Sequence, residues 1–130
     1  MIICIDDTRM HTDPKAENYT TAEHGLYRLV QLWTNQNSMG DAIFNVDELW
    51  LDHDLGNCTG FASTTNLVFA WLRTLGMMND HLNVNVIYVH SANPTITKYV
   101  DSLSDAGYIV KRASIFEVVR SGILVEREYA

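Results

Sequence analysis

The chain of 130 residues is poor in cysteine and has no long run of apolar residues. Its two cysteines, Cys4 and Cys58, are far apart and form no C-x-x-C pair, so a disulfide framework is not indicated. No apolar run approaches the ~20 residues that span a bilayer. The N-terminus lacks the charged and apolar regions of a signal peptide. We therefore expect a cytoplasmic protein with reduced thiols and no membrane attachment.

Basic residues are also scarce, because nine lysines and arginines face sixteen aspartates and glutamates, which gives a net charge of −7. This balance argues against an extended grip on nucleic acid, whose non-specific affinity comes from basic side chains on phosphates. A single terminal or cyclic phosphate stays compatible with it, since a metal ion can supply positive charge locally. The sequence does not indicate an oligomeric state.

Apolar residues make up 47 % of the chain, and residues 1–130 fit one domain of ordinary size. Five strand patterns alternate with helix patterns, which predicts a parallel sheet with helices on both faces. Short, right-handed connections favour the flavodoxin-like strand order 2-1-3-4-5. A polar loop over 6–15 takes the place of a first helix. The predicted strands are 2–5, 17–20, 48–51, 84–89 and 108–110.

Helix ends are indicated by residue types that favour them. Thr20 and Glu23 form a capping-box pattern before a helix of about four turns. Gly76 and Gly107 suit the ends of the next two helices. Ser114 begins a second capping-box pattern, which predicts a terminal helix. The pattern over 123–125 fits either a helix or a strand.

Three of the predicted strands release polar residues where their apolar runs stop. These residues are Asp6-Asp7, Asp52-His53 and His90-Ser91. In an open parallel sheet ligands bind at this edge, and the order 2-1-3-4-5 places these three strand ends side by side. Converging carboxylates repel one another unless a cation is present, and Mg²⁺ or Mn²⁺ prefers oxygen ligands. The sequence therefore predicts an acidic metal site at this edge.

The remaining polar residues suggest how such a site would handle phosphate. His53 and His90 can act as base and acid, because both imidazoles titrate near neutral pH. Arg9 can clamp phosphate oxygens with its planar fork, and Asn93 begins a helix whose N–H groups can hold another. Alternatives without a functional role remain open. His53 is equally compatible with a structural role, and Arg9 is compatible with a surface ion pair.

Other histidines and the tryptophan before the site are expected to have no part in the chemistry. His11, His24 and His81 are predicted to be exposed. Trp50 is predicted to pack against a helix.

The segments Asp6-Asp7-Thr8-Arg9, 51–56 and 90–94 are similar to the signatures of cyclic-phosphate processing receiver domains, a divergent branch of the response-regulator receivers. The resemblance implies that Asp6, Asp7 and Asp52 hold Mg²⁺. It implies that Ser91 and Lys111, placed after the fourth and fifth strands, contact a phosphoryl group. It further implies a phage or bacterial source and a role on cyclic phosphates in RNA repair or phage conflict.

Three functions use the same edge of the sheet. The first is a metal-dependent phosphoesterase acting on cyclic or terminal phosphates of RNA or nucleotides. The second is a stand-alone signalling module in which Asp52 accepts a phosphoryl group. The third is a protein that sequesters a phosphorylated nucleotide without turnover. The histidines distinguish the first from the second, because ester hydrolysis benefits from His53 and His90 whereas phosphoacceptance needs neither.

Overall fold

A computed structural model of the chain describes residues 1–7, 10–11, 13–39, 45–52, 66–90, 96–113 and 123–124. No helix in these residues is long and apolar enough to cross a membrane. The helices are α1 (Ala22–Met39), α2 (Asn66–Met77) and α3 (Ile96–Asp105). The strands are β1 (Ile2–Ile5), β2 (Met10–His11), β3 (Glu17–Tyr19), β4 (Val46–Asp52), β5 (Val84–His90), β6 (Val110–Arg112) and β7 (Ile123–Leu124).

Five of the strands form one parallel sheet in the order β3-β1-β4-β5-β6. Counted along the chain, these five strands have the order 2-1-3-4-5, so the predicted flavodoxin-like topology is confirmed. Ile5 pairs with Leu51, and Leu51 pairs with Val89, which aligns the ends of the three central strands. The residues that follow these positions therefore reach the same edge of the sheet.

One face of the sheet is covered by all three described helices. The alternating strand residues on this face are fully buried, as expected when a sheet packs against a helix layer. The helices contribute buried leucine, valine and phenylalanine side chains to the same cluster. The predicted terminal helix from Ser114 falls on residues outside those that the structure describes. The strand residues of the covered face are Ile3, Ile5, Leu49, Leu51, Ile87 and Val89.

The opposite face carries a smaller cluster centred on Trp50. Cys4 and Trp50 are buried there, as the strand position of Cys4 predicts. The indole of Trp50 stacks on Tyr88 with ring centroids 4.1 Å apart, and the ring of His11 meets it edge-on at 6.1 Å. Among the described residues Trp50 thus packs against rings from a neighbouring strand and from β2, and the expected contact with a helix is not found.

A short second sheet interrupts the segment that was predicted to be a loop. Met10 and His11 of β2 pair antiparallel with Leu124 and Ile123 of β7. This pairing also settles the choice between helix and strand at 123–124 in favour of a strand. Two residues carry no readable periodicity, so the sequence pattern could not reveal this contact.

Two of the predicted helix ends are shifted. Thr21, not Thr20, caps α1, because its Oγ1 accepts a hydrogen bond from the N–H of His24 at 3.2 Å. The helix has 18 residues, which is one turn more than expected. At the end of α2, Asn79 takes the left-handed position with φ of 56°, and the N–H of Asp80 bonds the carbonyl of Leu75. Asn79 therefore terminates this helix in place of Gly76.

Gly76 lies inside α2 for a different reason. A Cβ atom at this position would lie 2.5 Å from the carbonyl oxygen of Ala106 at the end of α3. The glycine therefore lets the two helices approach backbone to backbone. Gly107 ends α3 as predicted, with φ of 105°.

We expect Gly76→Ala to lower the free energy of unfolding by about 1–3 kcal/mol, the usual range for overpacking. On a solvent-exposed helix face the same change would stabilise the protein by about 1 kcal/mol. Whether Gly76→Ala raises or lowers the stability therefore tests the contact with Ala106. Thermal denaturation measures it. Thr74→Ala, on the exposed side of the same helix, is the control and should change the midpoint little. A midpoint that rises in Gly76→Ala would show that α2 and α3 do not meet there.

Candidate acidic site at the carboxyl ends of the strands

Three carboxylates meet where β1 and β4 end. Asp6 follows β1 directly, Asp52 is the last residue of β4, and the pairing of Ile5 with Leu51 sets them at the same level. Asp6 is 3 % exposed, Asp52 is 7 % exposed and Asp7 is half-buried. One carboxylate oxygen from each of the three lies within 4.8 Å of the other two. The clustering predicted from the sequence is therefore present.

The donor set of this cluster fits a hard divalent cation. All three groups offer oxygen, the ligand type that Mg²⁺ and Mn²⁺ prefer. Three negative charges at this spacing repel one another, and two of the three are largely removed from water. A cation between them offsets that repulsion, so the residues present fit the metal that the sequence predicts.

The backbone of Asp6 is held by the neighbouring edge strand. Its N–H donates a hydrogen bond to the carbonyl of Tyr19 at 2.9 Å. β3 is in turn tied to α1, because the guanidinium of Arg28 binds both oxygens of Glu17 at 2.7 and 3.1 Å. The hydroxyl of Tyr19 also donates to Glu17 at 2.7 Å. These contacts fix the strand that positions Asp6.

The contacts among Glu17, Tyr19 and Arg28 shift the pKa values of the first two residues. The hydrogen bond from Arg28 is the main reason why the pKa of Glu17 lies below its usual value, with smaller contributions from Tyr19 and the charge of Arg28. Burial is the main cause that raises the pKa of Tyr19 to about 12, and its hydrogen bond to Glu17 adds to it. Glu17 is therefore anionic and Tyr19 neutral throughout the physiological range.

His90 is the last residue of β5 and pairs with Asp52 in the register of the sheet. Its backbone therefore stands beside the acidic cluster, on the strand that the prediction required. Four other predicted site residues lie outside the described residues. These are Arg9, His53, Ser91 and Asn93.

Lys111 lies inside the last strand of the main sheet, and the prediction that it follows this strand is wrong. The observed strand spans Val110–Arg112, two residues later than the predicted one. Lys111 is exposed and pairs with Tyr88, two positions before His90. Two strand residues correspond to about 6.6 Å, so the backbone of Lys111 lies below the level of the acidic cluster.

His11 is a residue whose position the sequence did not reveal. It is only 9 % exposed, although it was expected at the surface. Its backbone N–H bonds the side chain of Asn18, and its Nδ1 accepts the N–H of Asp13, both at 3.0 Å. Its Nε2 lies 3.8 Å from Glu48 Oε1, which also accepts the indole N–H of Trp50. His11 thus anchors β2 against the sheet.

The other two histidines differ in their exposure. His24 is exposed, as predicted. His81 was expected to be exposed but is half-buried, and one of its ring nitrogens lies 2.6 Å from the carbonyl oxygen of Ala106.

Comparison with known families identifies one match. Residues 1–105 match the profile of the cyclic-phosphate processing receiver domain. No curated protein and no solved structure matches the chain.

The ion pair between Glu17 and Arg28, which supports the strand next to Asp6, should make the folded protein less stable at low pH. Folding lowers the pKa of Glu17 from its ordinary value of 4.5. The stability that Glu17 contributes is therefore fully present above pH 4.5, and it is lost as the pH falls through the lowered pKa. Glu17→Gln should therefore destabilise the protein at pH 7, and its difference from wild type should shrink below pH 4.5. Urea denaturation between pH 3 and pH 7 measures this.

The partner of Glu17 provides the control. In an Arg28→Gln background, Glu17→Gln should change the free energy of unfolding little at any pH, because the cation that binds the carboxylate is gone. An undiminished effect of Glu17→Gln in that background would show that the pair does not support β3.

Proposed function

The chain belongs to the cyclic-phosphate processing receiver domain family, and we propose that it is a Mg²⁺-dependent phosphoesterase that acts on cyclic or terminal phosphates of RNA or nucleotides. The observation that carries this proposal is the cluster of Asp6, Asp7 and Asp52 at the edge where the strands of the parallel sheet end. Ligands of open α/β sheets bind at this edge. Buried like charges in such a position are typical of functional sites.

Asp6, Asp7 and Asp52 would hold the metal ion through one oxygen each. When bound, the ion supplies the positive charge that phosphate oxygens need and that a chain of net charge −7 otherwise lacks. Mn²⁺ has similar ligand preferences and is expected to replace Mg²⁺.

The proton transfers are assigned to His53 and His90. One imidazole accepts a proton from the attacking water, and the other donates a proton to the ribose oxygen that leaves. The position of His90 beside Asp52 in the register supports this assignment, since a group that transfers a proton must reach the scissile bond next to the metal. His53 follows Asp52 directly in the sequence and is assigned on that ground.

The remaining predicted residues are assigned to binding of the phosphate. Arg9 would clamp two oxygens with its fork, and Ser91 and Asn93 would donate hydrogen bonds from the connection between β5 and α3. Lys111 can take part only if its side chain extends along the sheet toward the end of β5, because its backbone pairs with Tyr88.

The signalling alternative has one observation in its favour. Asp52 ends the third strand of a 2-1-3-4-5 sheet beside an acidic pair, and this arrangement also suits a phosphoryl acceptor next to a metal ion. Sequestration of a phosphorylated nucleotide without turnover is the third use of the same residues. The assays below separate the three.

Mg²⁺ should stabilise the folded protein by binding the acidic cluster. Free metal at a hundred times its dissociation constant gives about 2.7 kcal/mol. Asp52→Asn should abolish the increase in thermal midpoint that Mg²⁺ causes. In the absence of metal it should leave the midpoint unchanged or raise it, because it removes one of three repelling charges.

The control for this experiment is Asp101→Asn, which removes an equal charge from the exposed side of α3. It should leave the metal effect intact. If Mg²⁺ shifts the midpoint of Asp52→Asn as far as that of the wild type, the proposed ligands are wrong.

Hydrolysis of a nucleoside 2′,3′-cyclic phosphate should follow a bell-shaped pH profile, with one limb from each imidazole. His53→Ala and His90→Ala should each lower the rate by about 10²–10⁴-fold. His24→Ala, which removes an exposed histidine of α1, should leave the rate unchanged. The stabilisation by Mg²⁺ should survive in all three variants.

Incubation with acetyl phosphate distinguishes the signalling module. That function predicts an acid-labile adduct on Asp52 in the wild type and in both active-site histidine variants. An adduct without hydrolysis of the cyclic phosphate would overturn the phosphoesterase. Binding of the cyclic phosphate with neither hydrolysis nor an adduct would favour sequestration.

A further inference from the structure

A groove runs between α2 and α3 and is separate from the acidic cluster. It consists of two adjoining cavities, a smaller one of about 300 Å³ and a larger one of about 800 Å³. The smaller cavity reaches Phe69 and Tyr99, in the first turns of the two helices, and the larger extends to Met77 and Asp105 at their ends. Both volumes lie in the range of small-molecule sites.

The smaller cavity is largely apolar and has an aromatic wall. The ring centroids of Phe69 and Tyr99 are 4.8 Å apart, with 33° between their planes. Ala70 and Leu103 complete the apolar lining. Phe69 is buried and Tyr99 is half-buried, so part of the tyrosine is exposed to solvent. A planar ring can stack on such a surface.

Two cations stand where the cavities join. Arg73 and Lys98, together with Ser102, line both of them. Within the part of the chain that the structure describes, neither cation makes an ion pair or a hydrogen bond. Arg28 differs, since its guanidinium is held by Glu17. The charges of Arg73 and Lys98 are therefore available to a ligand.

The two ends of the groove differ in charge. Among the described residues, none that line the smaller cavity is acidic, whereas Asp101 and Asp105 line the larger one. An anionic group would be attracted to the junction and repelled beyond it. The charge pattern therefore suits a ligand with one apolar, planar part and one compact anionic group, and it disfavours a long polyanion.

We propose that this groove binds a nucleoside monophosphate. The base stacks on Tyr99 in the smaller cavity, and the phosphate binds Arg73 and Lys98 at the junction, with the hydroxyl of Ser102 as a further donor. The absence of a side chain at Gly76 lets the two helices approach closely at the far end of the groove. Binding needs neither the metal nor Asp52, so it does not depend on the proposed phosphoesterase activity.

Calorimetric titration of AMP into the full chain tests the proposal. The experiment uses EDTA and an Asp52→Asn background, which remove the acidic cluster as a competing phosphate site. Arg73→Gln and Lys98→Gln should each weaken binding about tenfold, the loss expected for one charge-assisted hydrogen bond. Tyr99→Leu, which keeps an apolar side chain of similar reach, should weaken it by a similar factor through lost stacking.

Lys15→Gln is the matched control, because it removes an exposed cation on the segment before β3. It should leave the affinity for AMP unchanged. ATP should bind more weakly than AMP, since its longer phosphate chain extends toward Asp101 and Asp105. Adenosine and inorganic phosphate should each bind more weakly than AMP, because each occupies only one part of the groove.

Three results would overturn the proposal. The first is no binding of AMP at millimolar concentration. The second is an equal loss of affinity in Lys15→Gln and Lys98→Gln, which would indicate unspecific attraction. The third is tighter binding of ATP than of AMP, which would contradict the charge pattern of the groove.

Discussion

The acidic cluster depends on the register of three parallel strands. Ile5, Leu51 and Val89 are paired at one level and buried against the helix layer. A slip of one residue would turn these side chains to the opposite face, so apolar packing fixes the register strongly. Asp6 and Asp52 come next along the chain after Ile5 and Leu51, and this register brings their carboxylates close together. The core thus imposes an electrostatic repulsion that a bound cation would offset.

The parts of the fold that follow from apolar runs could be predicted from the sequence. Asp6 and Asp52 stand where such runs stop, and the alternation of strands and helices leaves few topologies besides 2-1-3-4-5. Features that depend on distant contacts could not be predicted. Gly76 resembles a helix end in the sequence, but its role comes from Ala106 on another helix. The burial of His11 likewise depends on distant residues, because its contacts include Glu48 and Trp50 of β4.

Charge is divided unevenly over the molecule despite its net value of −7. The edge of the sheet gathers carboxylates, whereas the groove between α2 and α3 has Arg73 and Lys98 without partners among the described residues. Without a cation the first region would repel phosphates, whereas the proposed binding at Arg73 and Lys98 would need no metal. The two surfaces can therefore respond differently to the same anionic ligand.

The antiparallel pair of β2 and β7 affects the order in which the protein can fold. Met10 pairs with Leu124, which is 114 positions later in the chain. Closing so long a loop is entropically costly and slow until intervening structure brings the ends together. During synthesis, β1 and β4 leave the ribosome and can pair well before β7 exists. β2 therefore gains its pairing with β7 last, after the strands of the main sheet have been synthesised.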